Sequence, residues 1–377
     1  MANEPDKHLV AIVDGNQAHR QQLADALSAY YAIHSYGDAT NALMGLNLSP
    51  PGLVLVGELV PPSRGANFLL AMRAERLLAQ TPAIFVSNHG EPEVLQAALK
   101  AGANDCLLKP YRRSALIRAI STQINAKVES QWKAFPPLMR DALQGPAGVF
   151  NSIADIMETG GSVQYWAVAE SCSALVDAIS GKTLIPLLNA VEEHDSFTFA
   201  HSFRVAALLA LFGNAIGLPK TQRLLLASGG LLHDFGKLTI RHSILYKRDD
   251  LTPEEWEIIR GHVASTVKFL RAADDVPKGL LTIAAQHHER LDGSGYPMGL
   301  KAPQLNDLAR IAAIADVFAG LTVNHTYKAA EPTEKAFKTM AEDMAGQLDQ
   351  KLLAQFKEVL LDSVDTAQPQ RGARANP

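Results

Sequence analysis

The sequence predicts two parts of different fold class: an N-terminal α/β domain built on a doubly wound five-stranded parallel sheet, and a helical second half. Two patterns predict them. Short apolar segments alternate with segments of helical period from residue 8 to about 125, and helical period alone continues from there to about residue 363. A third observation concerns chemistry, because eight of the 12 histidines lie between His194 and His325.

The predicted strands of the first part are short and apolar, and each is followed by a segment with helical spacing of its apolar residues. The strands are HLVAIVD, YAIHSY, GLVLVGEL, AIFVSN and DCLL. The helices are QQLADALSAYY, ATNALMGLN, ANFLLAMRAERLLA, EVLQAALKAGA and RRSALIRAISTQI. Ligands bind at the carboxyl ends of the strands in such a sheet. We therefore expect the chemistry of this part, if any, at residues that directly follow the strands.

The residues at those strand ends resemble the response-regulator receiver family over roughly the first third of the chain. Asp14 ends the first strand, Ser87 ends the fourth and Lys109 follows the fifth, in the order and spacing of the family. The phosphoacceptor aspartate of the family, however, aligns with Gly57. Because glycine has no nucleophile, we expect a degenerate receiver that is not phosphorylated and that serves as a regulatory or interaction module.

Two neighbouring residues support this interpretation. Gly15 stands where the family has a second acidic residue, and the one remaining carboxylate would bind magnesium poorly. Glu58 follows Gly57, but successive residues of a strand point to opposite faces. We therefore expect the Glu58 side chain to point away from the pocket and not to replace the aspartate.

Composition favours a soluble, cytoplasmic protein. The chain has 377 residues, a formal net charge of −4 and 47% hydrophobic residues, and it contains no apolar run long enough to cross a bilayer. Neither charge nor motif indicates a DNA-binding surface. Cys106 and Cys172 are expected to be reduced, since two cysteines give no disulfide framework.

Seven candidate metal ligands follow one another along the second half at regular intervals. The candidates are single residues or adjacent pairs, and the gaps between one and the next are 32, 28, 25 and 28 residues. Each gap is about one helix and a return, so each candidate or pair can lie on a separate helix around a common centre. Mixed imidazole and carboxylate donors suit iron, manganese, zinc, nickel or cobalt better than calcium. Seven ligands are reasonable for two ions that share a carboxylate. The candidates are His201, His233, Asp234, His262, His287, His288 and Asp316.

Taken singly, His233-Asp234 is more often a packed, hydrogen-bonded pair than a metal site. The ordered set, however, resembles the HD-GYP family from about residue 190 to 330: LLHDFGK matches its HD-x-GK core, and HHERLDGSGYP matches its signature. The resemblance implies an all-α HD-type helical bundle with two or three metal ions. It also implies a phosphodiesterase that hydrolyses cyclic di-GMP to pGpG and, in some members, on to GMP.

The resemblance also assigns roles to residues. It implies that Asp234 is shared between an ion held by His201, His233 and Asp316 and an ion held by His262, His287 and His288. Lys237, one turn beyond Asp234, would stabilise charge on the phosphate. The expected catalytic residues are therefore Lys237 and the shared carboxylate Asp234. The expected substrate contacts are Gly295, Tyr296, Arg310, His325 and Lys328. For Arg310, a salt bridge on the helix surface is an equally good explanation.

Two positions depart from the family pattern. Phe197 stands where some members have a glutamate that helps to hold a third ion. We therefore expect two transition-metal ions per chain, with iron or manganese favoured over nickel, cobalt or zinc. His325 stands where the family has an arginine that grips phosphate, and imidazole does not reproduce a bidentate guanidinium contact.

These observations divide the chain into a degenerate receiver-like domain (residues 1–125), a helical linker (126–185), an HD-GYP phosphodiesterase domain (186–345), and a terminal helix with a disordered tail (346–377). Cyclic di-GMP is the expected ligand. A regulatory protein that binds the receiver, and a second copy of the chain, are further candidate partners. Two alternatives stay open: a weakly active or inactive, metal-bound cyclic di-GMP sensor that acts through protein contacts, and hydrolysis of another phosphodiester such as pGpG.

Overall fold

The chain divides into two units, Met1–Ser130 and Gln131–Pro377. The computed structural model describes residues 8–28, 31–88, 90–159, 161–181, 183–192, 194, 196–245, 247, 249–323 and 330–365. Within these ranges no helix is long and apolar enough to cross a membrane.

The first unit is built on a five-stranded parallel sheet with strand order β2-β1-β3-β6-β7, and β4 and β5 form a separate antiparallel pair. The strands are β1 (Leu9–Val13), β2 (Ala32–Tyr36), β3 (Leu53–Gly57), β4 (Leu59–Val60), β5 (Ser63–Arg64), β6 (Ala83–Ser87) and β7 (Asp105–Leu108). Its helices are α1 (Gln17–Leu27), α2 (Ala39–Leu48), α3 (Gly65–Ala74), α4 (Pro92–Lys100) and α5 (Arg113–Trp132). This arrangement confirms the predicted doubly wound sheet.

Both faces of this sheet are covered, which explains why its central strands are apolar throughout. On one face, Ile12 belongs to a buried cluster with Leu23 of α1 and Ile120 of α5. On the other face, Val56 belongs to a cluster with Phe68 of α3. The carboxyl ends of the strands remain as the edge at which side chains can gather.

The second unit is helical, as predicted. Its helices are α6 (Pro137–Thr159), α7 (Tyr165–Ser171), α8 (Ser173–Ser180), α9 (Leu184–Ala190), α10 (Phe197–Ala215), α11 (Lys220–Leu232), α12 (His242–Leu245), α13 (Pro253–Leu270), α14 (Lys278–Gln286), α15 (Asp307–Leu321), α16 (Thr333–Glu342) and α17 (Gln350–Asp365). Short 3-10 turns occur at Phe235–Thr239 and Ala302–Gln304.

Helix α10 lies at the centre of the second unit and packs against α8, α11 and α15. Glycine permits its close approach to α11, because a Cβ at Gly230 would lie 2.6 Å from the Cα of Ala206. Polar caps fix the start of two further helices. Thr252 and Glu255 form a capping box at the start of α13, and Asn306 caps α15. Helices α10, α13 and α15 carry residues of the candidate site, and α11 ends directly before two more.

A series of aromatic rings runs through the core of the second unit. Neighbouring ring centroids lie 4.6–6.2 Å apart. In order of contact, the rings are Trp132, His194, Phe199, Phe150 and Phe235. The first ring belongs to the last residue of α5 and is 1% exposed. The last belongs to the residue that directly follows Asp234, so the series ends beside the candidate site.

Candidate functional site

The seven predicted metal ligands converge from five helices or helix ends. His201 lies on α10 and His262 on α13, while Asp316 lies on α15. The pair His233-Asp234 directly follows α11, and the pair His287-His288 directly follows α14. All but His288 are buried. The separate helices of the bundle therefore bring together residues that are up to 115 positions apart in the sequence.

The ligand atoms form two groups that share Asp234. Within each group, the atoms lie within 4.8 Å of one another. One group consists of His201, His233, Asp234 and Asp316, and the other consists of Asp234, His262, His287 and His288. These are the two sets that the family resemblance implies.

The two carboxylate oxygens of Asp234 face different groups. Its Oδ2 lies 3.4 Å from His201 Nε2 and 3.3 Å from His233 Nε2. Its Oδ1 lies 3.1 Å from His262 Nε2 and 3.6 Å from His287 Nε2. A carboxylate in this position has the geometry to bridge two ions, one at each oxygen.

Asp316 provides a second link between the groups. Its Oδ1 lies 3.1 Å from His201 Nε2, and its Oδ2 lies 3.4 Å from His288 Nδ1. The carboxyls of Asp234 and Asp316 therefore lie among five imidazoles, with oxygen and nitrogen atoms mixed around one small volume.

Backbone carbonyls orient three of the imidazoles. The Nδ1–H of His233 donates to Gly230 O at 2.7 Å, and that of His262 donates to Ile259 O at 2.5 Å. His287 Nδ1 lies 3.1 Å from Ala284 O. A ring that donates from Nδ1 presents the lone pair of Nε2, which is the form that binds metal. His233 Nε2 is buried and faces the carboxylates of Asp234 at 3.3 Å and Asp316 at 3.6 Å, so it points into the centre.

The charges in this centre favour a cation. Burial acts to raise the pKa of the Asp234 carboxyl, but the positive charges of Lys237 and His233 outweigh this effect. The pKa therefore lies well below its usual value. Burial lowers the pKa of His233, whereas Asp234 and Asp316 outweigh it and raise the pKa to about 10. Burial lowers the pKa of His287 to about 4, so that imidazole is neutral at pH 7. His233, by contrast, is protonated at pH 7 and must release a proton before its Nε2 can bind an ion. Imidazole nitrogens beside ionised carboxylates are a donor set that fits divalent transition metals.

Lys237 lies in the 3-10 turn that follows Asp234, and its Nζ is 2.5 Å from Asp234 Oδ2. The side chain is 19% exposed, so it is partly accessible to solvent, whereas Asp234 is fully buried. Gly236 allows this turn to pack closely on α13. Its N–H donates to Thr266 Oγ1 at 2.8 Å, and a Cβ at position 236 would lie 2.0 Å from His262 O.

Glu289 was missed by the sequence analysis although it directly follows the histidine pair. Its carboxyl is buried, and it accepts hydrogen bonds from the backbone N–H of Met298 at 2.7 Å and of Leu300 at 2.8 Å. These two bonds tie the loop that contains Tyr296 to the end of α14.

The Gly-Tyr-Pro segment lies directly against the metal-ligand candidates. A Cβ at Gly295 would lie 2.5 Å from His288 O, so only glycine fits there. The Tyr296 N–H donates to the same carbonyl at 3.1 Å. The Tyr296 ring centroid is 4.6 Å from that of His288. Gly295 and Tyr296, two of the predicted substrate contacts, therefore lie beside the centre.

The remaining predicted residues have different outcomes. The Arg310 guanidinium donates to Leu305 O, Ala302 O and Asp349 Oδ2 at 2.7–3.0 Å, which is the salt-bridge alternative of the sequence analysis. His325, Lys328 and the side chain of Phe197 lie outside the described residues.

The receiver-like pocket of the first unit is filled by its own side chains. The Nδ1–H of His19 donates to the buried Asp14 carboxylate at 2.6 Å, and His19 Nε2 accepts a hydrogen bond from the Tyr111 hydroxyl at 3.0 Å. A Cβ at Gly57 would lie 2.4 Å from Asp14 Cγ. Asp14 therefore occupies the space that a side chain at position 57 would need.

The expectation that Glu58 points away from this pocket is wrong. Strand β3 ends at Gly57, so the alternation of the strand no longer applies to the next residue. The Glu58 carboxylate accepts hydrogen bonds from the Ser87 hydroxyl at 3.3 Å and from the Asn88 N–H at 3.2 Å. Burial lowers the pKa of Lys109, against an opposing effect of Asp14 and Glu58. The polar residues left in the pocket thus interact with internal carboxylates.

Comparisons with known proteins divide the chain in a similar way. Residues 10–121 match the response regulator receiver domain, and residues 185–352 match the HD domain. The cyclic di-GMP phosphodiesterase response regulator RpfG of Xanthomonas campestris pv. campestris is 28% identical over 326 residues, which are 85% of this chain and 79% of that protein.

Two further relatives are more similar to the chain over a shorter part of its length. The cyclic di-GMP phosphodiesterase PA4108 of Pseudomonas aeruginosa is 34% identical over 45% of this chain and 42% of its own length. The 3'3'-cGAMP-specific phosphodiesterase 3 of Vibrio cholerae serotype O1 is 34% identical over 45% of this chain and 37% of its own length. The chain thus aligns with about two fifths of each of these two proteins.

Proposed function

The chain belongs to the HD-GYP response regulators, in which a receiver domain precedes an HD domain, and on this basis we propose that it is a metal-dependent phosphodiesterase that hydrolyses cyclic di-GMP to pGpG. The observation that carries the proposal is the position of Asp234, whose two oxygens face two groups of imidazoles at 3.1–3.6 Å. Such a donor set fits two transition-metal ions, with iron or manganese favoured over nickel, cobalt or zinc.

We assign the two ions to the two groups that share Asp234. When bound, two such ions supply positive charge to a phosphodiester and acidify water. The protein supplies orientation: carbonyl groups fix the rings of His233, His262 and His287, so that their Nε2 atoms need little rearrangement to bind.

Lys237 is the proposed charge-stabilising residue. Its ammonium is held at the edge of the centre by Asp234, where the charge on a transferring phosphoryl group would develop. Tyr296 and Gly295 shape the wall of the site next to His288, and we propose that they contact the substrate.

The choice of cyclic di-GMP rests on the extent of the alignments. RpfG, whose name states cyclic di-GMP, aligns over 79% of its length and includes a response regulator portion. The 3'3'-cGAMP-specific relative aligns over 37% of its length. We therefore expect cyclic di-GMP to be the better substrate of the two.

One observation favours a second candidate function, a metal-bound cyclic di-GMP sensor that acts through protein contacts. The receiver pocket is filled by Asp14 and Glu58, so a phosphorylation signal has no place to act on. A protein partner that binds the receiver, or a second copy of the chain, would then provide regulation.

Nucleotide chromatography after incubation with manganese- or iron-loaded protein tests the proposal. We expect conversion of cyclic di-GMP to pGpG, slower conversion of 3'3'-cGAMP, and no conversion by the chelated protein or by Asp234→Ala. If cyclic di-GMP binds but stays intact with every metal, the sensor function replaces the enzyme. If 3'3'-cGAMP is cut faster, the substrate assignment is wrong.

A further inference from the structure

Arg260 lies at the edge of the candidate site, in a position that no signature motif marks. It is on α13, two residues before His262, and its side chain is 49% exposed. Its guanidinium carbon lies 5.5 Å from the centroid of the Tyr296 ring. A cation over an aromatic face is held there by the ring quadrupole, so the guanidinium has a defined position even though it faces solvent.

Two contacts connect this guanidinium to the candidate metal ligands. The Tyr296 ring lies below Arg260 and is 4.6 Å from the His288 ring and 6.4 Å from the His262 ring. Arg260 is therefore one aromatic ring away from the centre.

The other arginines near this loop already use their guanidinium groups for the fold. Arg290 donates to the carbonyls of His287 and Glu289, and Arg310 donates to two carbonyls and to Asp349. By contrast, the Arg260 guanidinium donates a hydrogen bond to the exposed Glu257 carboxylate at 3.2 Å. Both partners of that ion pair are exposed, so it contributes little and exchanges easily.

We propose that Arg260 binds the phosphodiester of the cyclic dinucleotide that is not being cut, an inference that rests on the proposed function. A cyclic dinucleotide has two phosphodiesters, and when one lies at the Asp234 centre the other still carries its negative charge outside it. The planar fork of arginine matches the two non-bridging oxygens of a phosphodiester. Because Tyr296 holds the guanidinium in advance, little of its freedom is lost on binding.

Steady-state kinetics of the manganese-loaded full chain test this assignment with two substrates. Cyclic di-GMP carries a second phosphodiester, whereas bis(p-nitrophenyl) phosphate has only one. For Arg260→Gln we expect the KM for cyclic di-GMP to rise about tenfold or more, the scale of one charge-assisted hydrogen bond, with a much smaller change in kcat. The loss should be confined to the dinucleotide, should shrink as salt is added, and should be partly recovered in Arg260→Lys. The matched control is Arg271→Gln at the exposed end of the same helix, which should resemble the wild type.

The outcomes separate the inference from the proposed function. An unchanged KM in Arg260→Gln, or an equal loss on both substrates, would overturn the role of Arg260 while hydrolysis by the wild type still supports the proposed function. If the wild type cuts the small diester but leaves cyclic di-GMP intact, the proposed function fails. In that case the contact is tested by measuring the dissociation constant of intact cyclic di-GMP. The inference requires this constant to rise about tenfold in Arg260→Gln.

Discussion

Replacing Gly236 with alanine tests how strongly the candidate site depends on the close packing of the Phe235–Thr239 turn on α13. A Cβ at position 236 would lie 2.0 Å from His262 O and 2.9 Å from Thr266 N. Ordinary contact begins at 3.4 Å, so the turn and the helix must separate by about 1.4 Å. Both neighbours are backbone atoms of a helix, which cannot rotate out of the way as a side chain would.

The expected cost has two parts. Overpacking of this kind costs about 1–3 kcal/mol, and loss of the hydrogen bond from Gly236 N–H to Thr266 Oγ1 adds about 1 kcal/mol. The free energy of unfolding should therefore fall by about 2–4 kcal/mol. The same separation moves Asp234 and Lys237 away from His262, and a misplacement of about 1 Å at a reacting centre lowers the rate about 100-fold.

Turnover of cyclic di-GMP, metal content and Tm of Gly236→Ala measure these effects. The matched control is Gly261→Ala on the same helix, where an added Cβ meets nothing within 4 Å. An alanine there should keep the activity and raise stability by about 0.5–1 kcal/mol, since glycine is unfavourable inside a helix. Wild-type turnover and Tm in Gly236→Ala would refute the claim that this packing positions the site.

Three further predictions concern charge, metal and the receiver. Lys237→Ala should lower kcat by about 10²–10³, the scale for loss of one preorganised charge-stabilising group, with metal content unchanged in elemental analysis. Metal-loaded, washed protein should contain about two transition-metal ions per chain, and a chelator should lower its Tm because ligands on separate helices couple metal binding to folding. Gly57→Asp should not restore phosphorylation by a small phosphodonor with magnesium, because its Cβ would lie 2.4 Å from Asp14 Cγ; intact mass measures this.

Each of these three expectations has a clear contradictory result. A kcat for Lys237→Ala close to that of the wild type would remove Lys237 from the chemistry. A reproducible third ion would mean that another residue compensates for Phe197. A stoichiometric phosphoryl adduct on Gly57→Asp would mean that Asp14 moves aside more easily than its bond to His19 suggests.

The sheet could be predicted because its pattern is local. The central strands, such as LVLVG at Leu53–Gly57, are almost unbroken apolar segments, as expected for a parallel sheet covered on both faces. Glu58 shows where this reasoning stops. The rule of alternating faces is valid inside a strand, but the position at which β3 ends depends on its neighbours in the sheet.

The candidate ligands could be predicted because they belong to ordered motifs, and the structure brings all seven together. Their role as ligands stays a prediction. Gly236 and Glu289 also lie inside these motifs, in LLHDFGK and HHERLDGSGYP, but their roles depend on contacts with segments distant in sequence, which the motifs do not reveal. Arg260 lies outside both motifs. His19 left a weak signal, because it lies on the apolar stripe of α1 with Leu23 and Leu27.

The last residue of α5 limits how the two parts of this chain can be exchanged with those of other proteins. The units divide between Ser130 and Gln131, but the Trp132 indole is buried in the second unit, where it stacks on His194 and donates to Ala190 O at 3.0 Å. A truncation that starts the catalytic part at α6 would remove this indole, and loss of a buried tryptophan side chain costs about 3–5 kcal/mol. When another receiver is fused to this catalytic part, the junction should therefore lie before residue 131. Trp132 then stays with the helices that enclose it.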